Sequence, residues 1–360
     1  MGGGWVGRLV APVMTLAAGA CASLPPAAEV RAAIARREGL GHAIEGVPFV
    51  AQGPRECGPA ALAQVLRFHG TEATPREIRA EELVPARLGT YTYELALFAK
   101  SRGLFARDLR FDCEGDPSPM RRLVALLDAD LPVVVLLRRG TVPFRTFHYV
   151  AVTGYEDARG LVLYQDGVSS DGIETYADFQ DDWHAADHWA LAVFPPERDF
   201  EFLTADDRLE LAALCERRGA WEPAAAHLRS VLAERPEDAA ATAALAGAHA
   251  RLGHTAEAGA LFERSLALDP EDPLALNNFA LHLLRTGGDL ARAETLGRRA
   301  LEMAPALRAY VEDTIGQILA ARGDPDGARS AFESALAATR ADQADLRREI
   351  RARLEALRRP

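Results

Sequence analysis

Lysine is almost missing from this chain, which has one lysine, Lys100, and forty arginines among its 360 residues. Acidic residues are nevertheless in excess, and the formal net charge is −11. Such an acidic balance argues against nucleic acid or an anionic lipid surface as the main partner. We therefore expect no nucleic-acid ligand.

Cysteine is also scarce, and its spacing argues against two common designs. The four cysteines, Cys21, Cys57, Cys113 and Cys215, lie far apart, and no CxxC pair occurs. A structural zinc site or a dense disulfide framework needs more closely spaced cysteines. The sequence leaves open whether Cys113 and Cys215 pair or stay as free thiols.

Long apolar runs are missing after residue 26, so the sequence predicts no transmembrane helix there. The chain instead contains 49% hydrophobic and 26% charged residues, which is ordinary for globular domains. Its length of 360 residues predicts two or three such domains.

The N-terminus has the layout of a secretory signal. Arg8 precedes an apolar run over residues 9–20 that is too short to span a bilayer comfortably. The small residues 18–20 stand directly before Cys21, which resembles the lipobox of bacterial lipoproteins, where the cysteine is lipidated and becomes the new N-terminus. We expect a lipoprotein signal peptide over residues 1–21. An ordinary signal peptide with an incidental cysteine is the alternative.

The lipobox resemblance also implies a location and a partner. The lipid anchor would bind a membrane of the bacterial cell envelope, with the chain facing the periplasm. Ser23, Pro25 and Pro26 suit a tether, which we place at residues 22–43. Because Ala22 lacks the acidic character associated with inner-membrane retention, the outer membrane is favoured.

A repeat with a period near 34 residues occupies the C-terminal part of the chain. Three residue types recur at fixed offsets: Gly219, Gly253, Gly288 and Gly323; Ala224, Ala258, Ala293 and Ala328; Pro236, Pro270 and Pro305. This pattern resembles tetratricopeptide (TPR) repeats, in which each unit is a pair of helices. Glycine would end the first helix, alanine would let the two helices approach closely, and proline would stop the second. We expect four repeats over residues 205–340.

The end of the array has its own pattern. Apolar residues of 341–360 share one helical face, which predicts a capping helix: Leu346, Ile350, Leu354 and Leu357. An Arg-rich helix on a membrane surface is the alternative. Within the array, Gly297 replaces a larger apolar residue and predicts looser packing of the third repeat. Such arrays bind protein segments in a concave groove, so a protein partner is expected.

Residues 44–197 predict a separate α+β domain. Apolar residues at helical spacing follow Cys57, and Gly70 would end that helix. Four later apolar segments have the character of strands: residues 131–137, 147–155, 161–166 and 188–194. A helix-rich half followed by a run of adjacent strands is typical of the α+β class.

Cys57 lies where a cysteine nucleophile would be expected. A helix N-terminus favours the thiolate that such catalysis needs. His148 lies on a predicted strand and Asp166 at the end of the next, so antiparallel neighbours would place a base beside an orienting group. Gln52 can offer its side-chain amide to an oxyanion, with the Cys57 N–H as second donor.

The strings QGPRECGPAALAQVL, FHYVAVTGY and LYQDG resemble the papain-like double-glycine, or bacteriocin-processing, cysteine peptidases. The resemblance implies a papain-like fold, a peptide or protein substrate and no cofactor. It makes Cys57 the nucleophile, His148 the general base and acid, Asp166 the orienting carboxylate and Gln52 the oxyanion-hole residue. Residues 89–106 also match the Gly-Thr segment and helix that follow the nucleophile helix in that family.

Two positions depart from the family pattern: Glu56 stands where aspartate is common, and Gly167 stands where proline usually follows the aspartate. The usual family member also sits on an export ATPase inside the cell, whereas this domain is joined to repeats. Specificity for a double-glycine leader is therefore not carried over.

Two alternatives to a peptidase remain: a non-catalytic scaffold that binds peptides, and an acyl transferase that uses the same thiol. A scaffold has no need to keep Cys57, His148 and Asp166 together, whereas hydrolysis and transfer cannot be separated by sequence. His184 and His188 have a metal-ligand spacing, but the glutamate of an HExxH motif is absent, so no metal site is predicted.

Overall fold

The computed structural model describes residues 24–36, 40–81, 90–111, 119–140 and 145–357. The chain divides into two compact units, Met1–Phe98 with Arg107–Val193, and Ala99–Ala106 with Phe194–Pro360. Cys21, with the lipobox, and Cys113 lie outside the described residues.

Up to residue 194 the chain contains both helices and strands, with most helices in its first half and four consecutive strands in its second. They are α1 (Ala27–Ala35), β1 (Gly41–Ala43), α2 (Cys57–Phe68), α3 (Pro75–Ala80), α4 (Thr92–Ser101), β2 (Phe105–Arg110), α5 (Pro119–Asp128), β3 (Val133–Arg139), β4 (Thr146–Glu156), β5 (Leu161–Gln165), β6 (Gly172–Thr175), α6 (Tyr176–His184) and β7 (Trp189–Phe194). The strands form one sheet in the order β2-β7-β3-β4-β5-β6, and β1 pairs with β4. The predicted α+β class is confirmed.

The central strands form because their sequences are almost wholly apolar. Every residue of β5 and β7 is buried, as is β4 from Tyr149 to its end. Such strands lie in the middle of a covered sheet, since neither face is left to water. The four predicted strands correspond to β3, β4, β5 and β7, whereas β1, β2 and β6 were not predicted. β1 and β6 are short and only half-buried, so they carry no apolar run.

The predicted tether over residues 22–43 must be corrected. Its residues 27–35 form α1, and residues 41–43 form a strand of the sheet. Ala27 and Val30 are buried against Leu161 and Leu163 of β5. The helix was missed because its apolar face consists mainly of alanine and carries little hydrophobic pattern.

The second unit contains consecutive helices of similar length. They are α7 (Ala205–Arg217), α8 (Trp221–Glu234), α9 (Ala239–Leu252), α10 (Thr255–Leu268), α11 (Pro273–Thr286), α12 (Leu290–Met303), a 3₁₀ turn (Pro305–Leu307), α13 (Arg308–Ala321), α14 (Pro325–Ala338) and α15 (Ala344–Ala356). The four recurring alanines are fully buried, as close helix packing requires: Ala224, Ala258, Ala293 and Ala328. In α15, Ile350 is buried in the apolar cluster of the array.

Two details of the third repeat differ from the sequence prediction. Gly287, the residue after α11, has φ 68°, so Gly287 rather than the aligned Gly288 takes the left-handed position that ends the helix. The packing at Gly297 is close, because a Cβ added there would lie 3.0 Å from Cγ1 of Ile315. Ile315, 2% exposed, fills the space that the larger residue would occupy.

Candidate active site

A tight turn positions Cys57 as the first residue of α2. The Glu56 N–H donates to the Gly53 carbonyl oxygen at 3.2 Å, and Glu56 Oε2 accepts from the Gly53 N–H at 3.0 Å. Arg55 has φ 65°, a left-handed conformation that costs a non-glycine residue about 1–2 kcal/mol. Its carbonyl oxygen accepts from Nη1 of Arg79 at 2.8 Å, which holds the turn in place. The strain lies two residues before the thiol.

His148 meets the Cys57 thiol from β4. Its side chain is hydrogen-bonded to Cys57, and the backbone N–H of Tyr149 also donates to the sulfur. Burial alone raises the pKa of Cys57, but the hydrogen bonds and the imidazolium charge of His148 outweigh burial, so the pKa falls below its ordinary value. Burial likewise lowers the pKa of His148, yet its bond to Cys57 makes the net shift upward. Both shifts favour a thiolate–imidazolium pair.

Asp166 contacts His148 through its backbone rather than its carboxylate. His148 Nε2 lies 3.0 Å from the Asp166 carbonyl oxygen, so Nε2–H donates and Nδ1 is left for Cys57. The carboxylate is used locally, because Oδ1 accepts from the N–H groups of Val168 at 2.8 Å and Ser169 at 2.6 Å. The predicted neighbours do meet, but the orienting atom in this arrangement is the main-chain oxygen.

Gln52 is held against the same turn. Its backbone N–H donates to the Gly167 carbonyl oxygen at 2.9 Å. Gly167 has φ 79°, which proline cannot adopt, and a Cβ there would lie 3.0 Å from Cβ of Gln52. This explains glycine at the position where the family pattern has proline. Oε1 of Gln52 is buried and has no hydrogen-bond partner among the described residues. Its role at an oxyanion stays a prediction.

Two residues beside the candidate pair, Gly58 and Tyr149, have a role that the sequence did not predict. A Cβ added to Gly58 would lie 3.1 Å from Cδ2 of Tyr149, so glycine allows the aromatic ring to rest on the start of α2. The Tyr149 hydroxyl donates to the Thr90 carbonyl oxygen at 3.1 Å and fixes the ring. The sequence does contain a sign of this contact. Gly58 directly follows Cys57, and Tyr149 directly follows His148.

Two large apolar side chains beside the site are exposed. Phe147, next to His148, is 56% exposed, and Val168, next to Gly167, is 74% exposed. Exposed apolar side chains flanking reactive groups are suited to contact with a substrate chain.

The other described cysteine has the opposite environment. Cys215 is a free thiol, fully buried, and its Sγ donates to the Pro196 carbonyl oxygen at 3.2 Å. Burial raises its pKa to about 11, so the thiol stays protonated at neutral pH. Cys215 is therefore a structural residue, in contrast to Cys57.

His184 and His188 do not share a helix face. His184 is the last residue of α6, and His188 lies in the following turn with φ 46°. Within the described ranges, no three His, Cys, Asp or Glu side chains are grouped so that they could hold a metal ion. None of the helices in those ranges is long and apolar enough to cross a membrane.

Comparison with known families assigns both parts of the chain. Residues 44–191 match the Peptidase_C39 like family, and residues 217–278 match a tetratricopeptide repeat family. The chain thus carries a C39-like peptidase domain followed by TPR repeats, as the sequence predicted. No curated protein matches the chain.

Several solved structures are similar to parts of the chain. The peptidase domain of Streptococcus ComA, a bifunctional ABC transporter involved in quorum sensing, is 24% identical with a TM-score of 0.33, covering 42% of this chain and 99% of its own. A thermophilic TPR protein of Thermus thermophilus, TTC0263, is 17% identical with a TM-score of 0.37, covering 44% and 82%. Pseudomonas aeruginosa pilF is 25% identical with a TM-score of 0.36, covering 43% and 72%.

Proposed function

We propose that this chain is a cysteine peptidase whose nucleophile is Cys57. One observation carries the proposal: the Cys57 thiol, at the start of α2, is hydrogen-bonded to His148, whose other ring nitrogen is held by the Asp166 carbonyl. A thiol, a base and a group that fixes the base are the parts that nucleophilic catalysis needs. The C39-like family match supports the same chemistry.

The reaction follows from these positions. The Cys57 thiolate attacks the carbonyl carbon of a peptide bond. The resulting oxyanion accepts hydrogen bonds from the Cys57 N–H and the Gln52 side-chain amide. His148 gives its proton to the leaving amine as the C–N bond breaks, which leaves a thioester on Cys57. Water then attacks the thioester while His148 takes its proton, and the acid product leaves.

The pKa shifts suit both steps. The pKa of Cys57 is lowered and that of His148 is raised, and both directions favour the thiolate beside the imidazolium. A thiolate is the attacking form of the nucleophile, and an imidazolium holds the proton that the leaving amine requires.

Labelling with a peptide-like electrophile tests this proposal. A short peptidyl acyloxymethyl ketone should label Cys57 in the full chain, and labelling should be lost in Cys57→Ala and strongly slowed in His148→Ala. His42→Ala is the matched control, since His42 pairs with Asp130 on the surface of the same unit. Equal labelling rates in the wild type and His148→Ala would favour the non-catalytic scaffold.

We further propose that the TPR array recruits a protein partner. A groove of about 350 Å³ is lined mainly by α9 and α11, and Arg251 of α9 stacks over the Trp221 ring of α8 at 4.9 Å along its wall. A photo-crosslinking residue at Ala244, inside the groove, should capture one discrete polypeptide in cells. The same residue at Arg299, an exposed position of α12 that does not line this groove, is the control and should not.

Export and anchoring are proposed from the N-terminal pattern alone. Lipidation of Cys21 would place the peptidase at the bacterial cell envelope, facing the periplasm, with the outer membrane favoured. Intact-mass measurement of the native protein should find an acylated N-terminal Cys21. An N-terminus without acyl mass would end the lipoprotein proposal.

A further inference from the structure

A second pocket, of about 590 Å³, lies in the first unit on the side of the sheet that carries α1. One wall is α1, the opposite wall is the segment that follows β1, and Gln165 with Asp171 complete the lining. Its volume is within the range usual for ligand pockets.

The strand register relates one wall of this pocket to a residue that contacts the start of α2. Gln165 on β5 pairs with Ala151 on β4, so the two side chains point to the same face of the sheet. Tyr149, two residues from Ala151, shares that face and lies diagonally from Gln165, at about 7–8 Å. Tyr149 rests on Gly58, the residue after Cys57. Gln165, which lines the pocket, and Tyr149, which contacts the start of α2, therefore lie on one face of the sheet.

The helix wall distinguishes this pocket from the matched domain. The family match begins at residue 44, whereas α1 occupies residues 27–35. Arg31 of α1 is fixed in the wall, because its Nη2 donates to Oγ1 of Thr153 at 2.9 Å. α1 therefore lies outside the residues that match the family and still contributes one wall of the pocket.

The groups around the pocket are mainly hydrogen-bond acceptors. Gln165 is 6% exposed; its Nε2 donates to the Val47 carbonyl oxygen at 3.2 Å, but its Oε1 has no partner among the described residues. Glu45 and Asp171 also line the pocket. The Asp171 carboxylate accepts from Oγ of Ser170 at 3.2 Å and attracts the guanidinium of Arg31, which lies further away than an ion pair and donates to Thr153.

The remaining walls are apolar. Ile34 and Ala35 of α1 face Val47 and Phe49 across the pocket. A long aliphatic stem would bury surface against these side chains, while a charged end group would stay near the carboxylates.

We propose that this pocket binds a basic side chain, arginine or lysine, of the peptide substrate. The cationic end pairs with Glu45 and Asp171 and supplies the N–H that Gln165 Oε1 lacks. The methylene stem packs against Val47 and Phe49. The identification of the ligand as part of a substrate rests on the proposed peptidase function. The binding of a basic side chain in the pocket does not depend on that function.

Binding of a small probe to the full-length chain tests the pocket without turnover. Nα-acetyl-arginine amide is titrated into the Cys57→Ala protein by calorimetry or ligand-observed NMR and compared with Nα-acetyl-citrulline amide, which has the same size but no charge. The arginine probe should bind more tightly. Glu45→Gln and Asp171→Asn should each weaken it by up to about fivefold, the usual limit for an exposed ion pair, and the double variant should remove the preference over citrulline. Glu29→Gln, on α1 outside the pocket, is the matched control and should change nothing.

The outcomes separate this inference from the proposed function. Equal binding of the two probes, or an arginine preference that survives in the double variant, overturns the pocket assignment. If the preference depends on Glu45 and Asp171 while Cys57 labelling ignores His148, the pocket stands and the peptidase proposal fails. If Cys57 labelling depends on His148 but the two probes bind equally, the peptidase proposal stands and the pocket assignment fails.

Discussion

Adding one methyl group at Gly167 should damage the candidate site more than it damages the fold. Alanine in a left-handed conformation costs about 1–2 kcal/mol, and Gly167 has φ 79°. Alanine also has fewer conformations than glycine in the unfolded chain, and this difference stabilises the folded state by about 0.4–1 kcal/mol. The new Cβ would also lie 3.0 Å from Cβ of Gln52, which cannot rotate away. Overpacking of this kind adds about 1–3 kcal/mol.

A matched control separates the two effects. Gly46 has φ 75° and no atom within 4 Å of an added Cβ, so Gly46→Ala has the backbone cost without the clash. We expect Gly46→Ala to lose about 1 kcal/mol of unfolding free energy and Gly167→Ala about 2–4 kcal/mol. Urea unfolding followed by tryptophan fluorescence measures both, because Trp183 and Trp189 are buried in this unit.

The clash at Gly167 should also change the reactivity of the Cys57 thiol. Gly167 follows Asp166, whose carbonyl oxygen holds His148 Nε2, so a displaced turn weakens one of the two hydrogen bonds that raise the pKa of His148, the other being the bond to Cys57. With less imidazolium beside it, Cys57 keeps its proton to higher pH. The alkylation profile of Cys57 should therefore move to higher pH in Gly167→Ala and stay unchanged in Gly46→Ala. Identical stability and identical profiles in the two variants would refute this reasoning.

Three further predictions follow from separate contacts. Asp166→Asn keeps both the carbonyl oxygen and a side-chain acceptor for Val168 and Ser169, so the rate of Cys57 alkylation should change little. Asp166→Ala removes that acceptor and should slow alkylation. If the Asn variant is as slow as the Ala variant, the carboxylate charge is essential. Cys21→Ser should release the protein from the membrane fraction, and continued sedimentation with membranes would contradict lipid anchoring. Residues 205–360 expressed alone should give a strongly helical circular dichroism spectrum, since α7–α15 lie together in one compact unit; a disordered spectrum would show that they need the first unit.

Much of the fold could be predicted because the deciding residues are regular in the sequence. β7 is a continuous apolar run, and β5 is apolar from Leu161 to Tyr164. The TPR helices are marked by alanines that are fully buried at each close approach. His148 and Asp166 could be placed together because β4 and β5 are adjacent antiparallel strands.

The remaining features depend on contacts that no sequence pattern displays. α1 is stabilised by burial of Ala27 and Val30 on β5, and small residues give a weak helical pattern. The choice of the Asp166 carbonyl over its carboxylate depends on a turn in which Val168 and Ser169 use the side chain. Gly287 and Gly288 are equivalent in sequence, and only the end of α11 distinguishes them.

The pH dependence of Cys57 alkylation tests the central claim most directly. Iodoacetamide is small enough to need no substrate pocket, and peptide mass spectrometry reports Cys57 separately from the other thiols. Because His148 lowers the pKa of Cys57, we predict that alkylation of the wild type stays fast well below about pH 8.5, the ordinary pKa of a cysteine. The His148→Ala profile should shift to higher pH, while the His42→Ala profile should match the wild type. Identical profiles for the wild type and His148→Ala would contradict the account.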